Sequence, residues 1–586
     1  MKKSKILTAL LGMLLLVSCS PTPSGNTNAS TTDVNTTTQS VVESTTETKE
    51  PDAEISSLKQ SDWITDPAIW ETPTVRGEDF IFTVEEVTGN ELLRKSMGYH
   101  GIGNFAGVYP SQTFFAAEWG YSVLNMATGS MDGAGRVINN VYLDGDPRTR
   151  EEALAIIREF FLNQYIQGSE HPWYSMNGHH CWHHYAAEFG CDILGSEIGE
   201  NIHGYQLHIA MNRGAARQYG KAWFIDFSSW HGAGILDYSQ KKYWGEYSSP
   251  DNGHSINLLK RSMIASYMSG ADGFVAEGGG YICVNDTVDP ETGVYSLTPY
   301  GEACKEFKEF TQANPDVGIT YTPVAVVLDY YHGMDRQPDH MKAFGKFEYT
   351  AGDTMTHELI DLIWDDTWSV ERNGNEKGAL SNNDFGDSFD FLLQNASPEV
   401  LASYPALLLS GDIVLSEAEI DNYRAYVQNG GTLVLNNAYL KYFPEYTGEL
   451  VNDRYDVTDG EGRVIVYGPD HSIKNLRKIL KELIAEYIPF SYSDDIQSIV
   501  NIADGYFYLT LMNNEGITKT HHQAPDELEA KYIRRMTRDL TISYTGDHEL
   551  LSVTDIYGGR KVSLDGKELS VTLKPGEIVV LKIKVK

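Results

Sequence analysis

Three short apolar runs in the middle of the chain each end in a carboxylate, and segments with a helical pattern separate them. The runs are residues 191–197, 221–226 and 271–277. Short apolar runs that alternate with helices are typical of parallel strands, and the carboxyl ends of such strands meet at one edge of their sheet. The pattern therefore predicts an α/β fold that brings Glu197, Asp226 and Glu277 to a common mouth.

The alternation of strand and helix patterns extends from about residue 80 to residue 314. Helices are predicted at residues 151–165, 205–219, 255–269 and 302–312. No glycine-rich phosphate-binding loop follows a strand here, because Gly101-Ile102-Gly103 lacks both the third glycine and the preceding strand. We therefore predict a (β/α)8 TIM barrel over residues 52–320 rather than a doubly wound sheet that binds a nucleotide.

A second α/β unit is predicted over residues 321–445. An apolar strand begins at Val324, and Ser416 with Glu419 has the spacing of a capping box, which begins a helix that ends before Gly430. This pattern resembles a flavodoxin-like or class I amidotransferase-like domain. Because no cysteine follows Cys304, the unit lacks the thiol nucleophile of the amidotransferases. We expect it to serve in structure or in assembly of a homo-oligomer, a dimer or a trimer.

The C-terminal residues 446–586 alternate polar and apolar side chains, and this alternation predicts a small β-sandwich. The run 506–511 is one such strand. The runs 571–573 and 578–585 flank Lys574-Pro575-Gly576-Glu577, whose composition predicts a turn that joins two strands.

The first 51 residues are predicted to lie outside the folded domains. Residues 1–19 combine a basic start with an apolar stretch, and Leu16-Val17-Ser18-Cys19 resembles a bacterial lipobox, in which Cys19 is lipidated. An ordinary signal peptide with a chance cysteine is the alternative. Residues 20–51 are rich in Ser, Thr, Asn and Pro and predict a disordered tether. We expect an exported protein that is anchored to the cell membrane only through its N-terminal lipid.

The charge and the composition exclude some partners and favour others. A formal net charge of −35 at pH 7 argues against binding to nucleic acid or to anionic lipid, which both require a cationic surface. Aromatic residues make up 11% of the chain, with 35 Tyr and 10 Trp, and sugar rings stack on such side chains. The composition therefore favours a carbohydrate substrate. The cysteines beyond the lipobox have no CxxC spacing, which disfavours zinc and leaves disulfides or buried thiols open: Cys181, Cys191, Cys283 and Cys304.

The order of a barrel, an amidotransferase-like domain without its thiol and a small β domain resembles the family 42 β-galactosidases. Residues 264–273 resemble that family's approach to its last barrel strand, and residues 407–436 resemble the middle of its trimerisation domain. The resemblance implies a retaining glycoside hydrolase with an acid/base Glu after the fourth strand and a nucleophilic Glu after the seventh. The chain departs from this pattern because no predicted strand end carries the Asn-Glu pair of the acid, and the strand before the last ends at Asp226.

Glycoside hydrolysis needs two carboxyl groups, one to protonate the leaving oxygen and one to attack the sugar or to activate water. Glu197 and Glu277 are the predicted pair. Asp226 is the main rival as nucleophile, and Glu200 is the fourth candidate. The structural alternative for Glu197 and Glu200 is a helix cap or an ion pair with Arg213, and for the other two it is a surface turn or a tie between loops. The predicted substrate-binding residues are polar or aromatic side chains near the same mouth: Asn177, His179, His180, Asn201, Trp173 and Trp230.

Two other functions are compatible with this sequence. His180, His183 and His184 have helical spacing, which would allow the cluster from His179 to His184 to ligate a metal in a metal-dependent hydrolase. Histidines on helices are more often hydrogen-bonded packing residues, so we predict no metal and no cofactor. The second alternative is a non-catalytic glycan-binding lipoprotein on a degenerate barrel. Several carboxylates at strand ends favour catalysis, because binding a neutral sugar requires hydrogen bonds rather than buried charges.

Overall fold

The computed structural model describes one early strand and most of the chain beyond residue 145. The described residues are 113–119, 145–168, 173–178, 181–191, 193–199, 204–228, 235–237, 242–244, 255–276, 284–288, 295–297, 299–334, 342–364, 367, 379–503, 505–519 and 530–586. All of them lie within one compact unit, Pro51–Lys586. The predicted signal peptide, the lipidation site Cys19 and the tether at residues 20–51 lie outside the described residues.

The first part of the described chain alternates strands with helices, as the sequence predicted. Its strands are β1 (Thr113–Trp119), β2 (Trp173–Gly178), β3 (Ile193–Gly199), β4 (Ala222–Ser228), β5 (Ile235–Asp237), β6 (Lys242–Trp244), β7 (Gly273–Ala276), β8 (Val284–Val288) and β9 (Tyr295–Leu297). Its helices are α1 (Arg150–Gly168), α2 (His183–Glu188), α3 (Tyr205–Tyr219), α4 (Ile256–Met268) and α5 (Pro299–Ala313). The predicted helices at 205–219 and 255–269 are confirmed to within one residue.

Five of these strands form one sheet in the order β1-β2-β3-β4-β7, and every pairing in it is parallel. A helix lies in the chain between each strand of this sheet and the next, which is how parallel neighbours must be connected. The parallel α/β architecture is therefore confirmed. Among the described residues the sheet is open, so the closed eight-stranded barrel over residues 52–320 stays a prediction.

A second α/β unit follows. Its elements, with the short strand that precedes it, are β10 (Ile319–Thr320), β11 (Val324–Leu328), β12 (Lys342–Ala343), β13 (Phe347–Glu348), α6 (Ala351–Ile363), β14 (Phe389–Leu393), α7 (Pro398–Ala402), β15 (Ala406–Ser410), α8 (Glu417–Gln428), β16 (Thr432–Asn436), β17 (Arg454–Asp459), β18 (Gly462–Tyr467) and α9 (Leu476–Tyr487). The capping box of Ser416 and Glu419 begins α8, as predicted.

The sheet of this unit has the order β14-β11-β15-β16-β18-β17, parallel except for β17. Its parallel strands, numbered along the chain, have the order 2-1-3-4-5 of flavodoxin-like folds, which agrees with the predicted fold class. Strands β17 and β18 lie beyond the predicted domain boundary at residue 445. The sheet therefore extends to Tyr467, because β18 pairs with β16 over five residues.

Helix α3 lies between the two α/β units. Its ends are defined by Gly204 (φ +70°) and Gly220 (φ +62°), which adopt the left-handed conformation that glycine tolerates without a Cβ clash. Every residue from Tyr205 to Ala216 is buried. The helix packs against β3 and β4 of the first sheet and against β14 of the second. One helix therefore contacts both the strands that carry the predicted carboxylates and the neighbouring domain.

The C-terminal part contains two antiparallel sheets. Its strands are β19 (Phe490–Tyr492), β20 (Gln497–Ala503), β21 (Tyr506–Met512), β22 (Ile517–Lys519), β23 (Ala530–Tyr532), β24 (Arg538–Tyr544), β25 (Leu550–Asp555), β26 (Ser563–Asp565), β27 (Glu568–Leu573) and β28 (Ile578–Val585). One sheet has the order β10-β20-β21-β28-β25 and the other the order β19-β24-β27-β26. The ring of Phe507 lies 5.2 Å from that of Phe490 and 5.6 Å from that of Tyr544, so the two sheets pack face to face as a sandwich.

The turn at residues 574–577 joins β27 to β28, but these strands do not pair with each other. Strand β27 pairs with β24 and β26, whereas β28 pairs with β21 and β25. The predicted turn thus connects the two layers of the sandwich instead of closing a hairpin.

No helix in the described part of the chain is long and apolar enough to cross a membrane.

Candidate functional site

Glu197 on β3 and Asp226 on β4 are partners in the parallel register of these strands. Neighbouring strands lie about 4.8 Å apart, and register partners project to the same face of the sheet. Glu197 is fully buried and Asp226 is 1% exposed. The structure therefore brings two of the four predicted carboxylates together in a buried environment.

Both carboxylates project away from the helices that cover the sheet. Ser196, the neighbour of Glu197, points toward the helices, because its Oγ lies 2.7 Å from Nε2 of His183 on α2. Likewise Phe227, the neighbour of Asp226, contacts the ring of Tyr205 on α3. Since successive side chains of a strand alternate in direction, Glu197 and Asp226 occupy the opposite face. In a closed barrel this face is the interior.

Two glycines surround Glu197 on that face. Gly195 and Gly199 lie two positions before and after Glu197 and therefore share its side of β3. Neither glycine contributes a side chain to this face of β3. A glycine in a strand interior is typical of sites where a ligand or another backbone approaches closely.

The carboxylates lie inside the strands rather than at their last residues. The sequence predicted that β3 ends at Glu197 and β4 near Asp226, but the strands continue to Gly199 and Ser228. Each carboxylate thus lies two residues before the carboxyl end of its strand. They remain next to the edge at which parallel α/β enzymes place their catalytic groups.

Helix α3 holds this edge through side chains that sequence reasoning missed. The hydroxyl of Tyr205 donates to the carbonyl of Gly199 at 2.7 Å. The amide of Asn212 donates to Oγ of Ser196 at 3.2 Å and to the carbonyl of Phe224 at 3.1 Å. Polar residues such as His208 and Asn212 among the apolar positions of α3 were the available signal, since buried polar side chains require specific partners.

The remaining predicted site residues have different outcomes. Trp173 and Asn177 lie in β2, which pairs with β1 and with β3, so their strand belongs to the same sheet as the carboxylates. The other predicted residues lie outside the described part of the chain: Glu200, Glu277, His179, His180, Asn201 and Trp230. Strand β7 ends at Ala276, one residue before Glu277, and β7 pairs with β4.

The histidine cluster provides hydrogen bonds at different places. His183 contacts Ser196, whereas Nε2 of His184 donates to the carbonyl of Phe391 in the second sheet at 2.9 Å. Burial lowers the pKa of His184 to about 4, so its ring is neutral. Among the described residues no group of three His, Cys, Asp or Glu side chains could hold a metal ion. These placements do not favour the metal-dependent alternative.

Among the described residues Arg213 pairs with Asp390 and not with Glu197, the ion pair that was one of the two structural alternatives for this carboxylate. Its Nε lies 2.7 Å from Oδ1 of Asp390 on β14. The described cysteines Cys181, Cys191 and Cys304 are buried, and Cys283 lies outside the described residues.

The second sheet has a small cavity at the carboxyl ends of β11 and β15, the position at which flavodoxin-like folds bind ligands. Asp329 lies in its wall, and burial raises the pKa of this carboxyl group to about 6. No Lys or Arg lines the cavity among the described residues.

Comparisons with known proteins return structures but no sequences. No protein-family model and no curated protein sequence matches the chain. Solved structures with similarity include Gan42B, a GH42 β-galactosidase from G. stearothermophilus, at 11% identity and a TM-score of 0.45 over 79% of this chain and 73% of that one. A β-galactosidase from Bacillus circulans sp. alkalophilus has 10% identity and a TM-score of 0.43, with 74% and 67% covered.

An exo-carrageenase of GH42 from Bacteroides ovatus has 12% identity and a TM-score of 0.40, with 75% of this chain and 56% of that one covered. GH42 is the family that the sequence resembles. All three TM-scores are below 0.5.

Proposed function

We propose that the protein is an exported glycoside hydrolase that cleaves a neutral or weakly charged glycan with two carboxyl groups. The observation that carries the proposal is the register pairing of Glu197 with Asp226 near the carboxyl edge of a parallel sheet. Burial of both groups supports a functional role, because titratable groups that are removed from water beside another charged group cluster at functional sites.

The geometry supports a retaining mechanism. Register partners on parallel strands have Cα atoms about 4.8 Å apart, which allows the carboxyl groups the separation of about 5–5.5 Å that retaining enzymes use. Two buried carboxylates this close repel each other when both are ionised, which favours one protonated and one ionised group. That division supplies a general acid and a nucleophile at the same time.

Glu197 is a member of both proposed pairs of catalytic carboxyl groups. In the first pairing its partner is Asp226, which the structure brings next to it. In the second its partner is Glu277, which follows β7 in the sequence. The substrate-binding residues proposed from the sequence, Trp230 and His179 among them, stay proposals.

The test of this function is a set of carboxyl-to-amide variants, since Glu→Gln and Asp→Asn keep the shape of a side chain and remove its titration. The set is Glu197→Gln, Asp226→Asn, Glu277→Gln and Glu200→Gln. Hydrolysis is followed first on a glycan array with reducing-end detection and then on an activated aryl glycoside. Loss of a general acid lowers kcat about 100- to 10,000-fold. Loss of the nucleophile lowers kcat further, and azide should then restore turnover.

Glu188→Gln is the matched control, because Glu188 ends α2 on the exposed outer side of the helix layer. This variant should keep wild-type kcat. If Glu197→Gln keeps wild-type turnover, the choice of residues is wrong. If wild-type protein binds glycans but never cleaves them, the non-catalytic glycan-binding alternative replaces this proposal.

The proposal includes the assembly and the location of the protein. The second sheet lacks any cysteine and is proposed to mediate a dimer or a trimer, which sedimentation or light scattering would detect as a mass above 65.4 kDa. A monomer at micromolar concentration would remove this role. The location is proposed from the lipobox alone: anchorage to the cell membrane through lipid on Cys19.

A further inference from the structure

Asn212 connects the two strands that carry the buried carboxylates. Its amide nitrogen donates to the side chain of Ser196 on β3 and to the backbone carbonyl of Phe224 on β4, at 3.2 and 3.1 Å. The side chain is fully buried. One amide group of α3 therefore contacts both strands at the same level of the sheet.

These two contacts lie next to the carboxylates in the chain. Ser196 precedes Glu197 directly, and Phe224 precedes Asp226 by two residues, which is one pleat of the strand. Ser196 Oγ is also within 2.7 Å of His183 Nε2, so two helices hold it. Asn212 therefore ties the two strands together beside both carboxylates, in addition to the backbone pairing of β3 with β4.

An asparagine is an unfavourable choice at this position for stability alone. Asn has a lower helix propensity than Leu or Met, and buried polar groups cost free energy when they lack partners. Oδ1 of Asn212 accepts no hydrogen bond among the described residues. A buried residue that goes against both helix propensity and hydrogen-bond satisfaction usually has a function, because selection for stability alone would favour an apolar residue there.

We propose that Asn212 is a positioning residue, which secures the separation of Glu197 and Asp226 by tying β3 to β4 from the helix side in addition to the backbone pairing of the two strands. The inference rests on the proposed function and assigns a role to a residue that touches neither the substrate nor the carboxylates. Catalysis depends steeply on such geometry, since a displacement of about 1 Å can lower the rate about 100-fold.

The experiment compares Asn212→Ala and Asn212→Leu with the wild-type chain. We expect kcat to fall about 10- to 100-fold in both variants while KM changes little, because the substrate contacts remain. The pH profile of kcat/KM should also change in width, since the mutual repulsion that separates the two ionisations depends on the distance between the carboxyl groups. A purely structural residue would alter neither the profile nor the kcat of the folded fraction.

Gln206→Ala is the matched control on the same helix. Gln206 is buried and bonds to Asp387 at 2.7 Å and to Ser381, both of the second domain, and it has no described contact with β3 or β4. It should lower the melting temperature and leave kcat and the pH profile unchanged. Asn212→Leu keeps the number and the branching of the side-chain heavy atoms and removes the amide, whereas Asn212→Ala removes the packing as well, so the two variants together separate loss of the hydrogen bonds from loss of packing.

The outcomes distinguish this inference from the proposed function. If wild-type protein is active, Glu197→Gln is inactive and both Asn212 variants keep kcat and the pH profile, the positioning role is wrong and the proposed function stands. If Gln206→Ala lowers kcat as much as Asn212→Ala, the effect is general destabilisation and the positioning role is again wrong. If the wild-type chain cleaves no glycan, the proposed function fails first and this inference fails with it.

Discussion

Arg213 on α3 and Asp390 on β14 form a buried salt bridge of 2.7 Å that joins the first α/β unit to the second. Asp390 also accepts a bond from Arg217 at 2.5 Å and from the hydroxyls of Tyr404 and Thr322 at 2.8 Å each. Burial alone would raise the pKa of Asp390, but the charges of Arg213 and Arg217 hold it below its usual value. The carboxylate is therefore ionised and fully coordinated by donors.

Removal of this carboxylate should destabilise the protein strongly. Asp390→Ala leaves two arginines without their shared partner, and breaking a buried ion pair from one side costs about 3–5 kcal/mol. Urea unfolding followed by fluorescence measures the change. Asp421→Ala is the control, because Asp421 is 75% exposed and pairs with Arg424 within one helix. Exposed pairs contribute about 0–1 kcal/mol. Equal effects of the two variants would contradict this account of the interface.

Gly214 should resist replacement by alanine although it lies inside a helix. A Cβ at this position would overlap the carbonyl oxygen and the backbone of Phe391, so α3 approaches β14 as closely as only glycine permits. Gly→Ala normally stabilises a helix interior by about 1 kcal/mol. Here we expect Gly214→Ala to lower the free energy of unfolding by about 1–3 kcal/mol, the cost of overpacking.

An Ala→Gly change at an exposed helical position measures the helix-propensity contribution with which the effect of Gly214→Ala is compared. Ala425→Gly on the exposed side of α8 should cost about 1 kcal/mol from helix propensity alone. If Gly214→Ala raises the melting temperature by the same propensity term, the close approach of α3 to β14 is not needed for stability.

Buried neutral histidines should make the protein less stable in mild acid. Burial lowers the pKa of His184 from 6.5 to about 4, and the unfolded chain takes up the proton first as the pH falls. The contribution of this group is therefore complete above pH 6.5 and is lost between pH 6.5 and about 4. The slope is about 1.4 kcal/mol per pH unit while only the unfolded state is protonated.

A His184→Gln variant isolates the pH-dependent contribution of His184 to the free energy of unfolding, because glutamine can donate to the carbonyl of Phe391 without titrating. The comparison with wild type is needed since Asp329, whose pKa is raised to about 6, changes stability with the opposite sign over the same range. We expect the difference in unfolding free energy between wild type and variant to grow as the pH rises from 4.5 to 6.5. A difference that is constant with pH would show that His184 is not neutral in the folded protein.

The N-terminal lipid should affect the location and not the chemistry. Cys19→Ala should release the protein from the membrane fraction, because one lipidated cysteine is the predicted anchor and residues 20–51 are predicted to form only a tether. Specific activity on a soluble glycoside should be unchanged. Retention of Cys19→Ala in the membrane fraction would point to a second anchor, and loss of activity would contradict a passive tether.

The local pattern of the sequence determined many of the described helices and several of the parallel strands. The helical pattern of residues 205–219 predicted α3, and the capping box at Ser416 predicted the start of α8, because these structures depend on residues within a few positions of each other. The apolar runs likewise predicted β3 and β4. Their carboxylates, Glu197 and Asp226, were identified for the same reason: a charge in an apolar strand is visible without any structure.

The tertiary structure decided what these elements pair with. Strands β27 and β28 follow one turn but belong to different sheets, and β18 joins β16 across the predicted boundary at residue 445. Hydrogen bonds between strands connect residues that are distant in sequence, so the pattern of one strand does not specify its neighbour. The role of Asn212 has the same origin. Its helix is readable from the sequence, but its two partners become neighbours only when β3 and β4 pair in register.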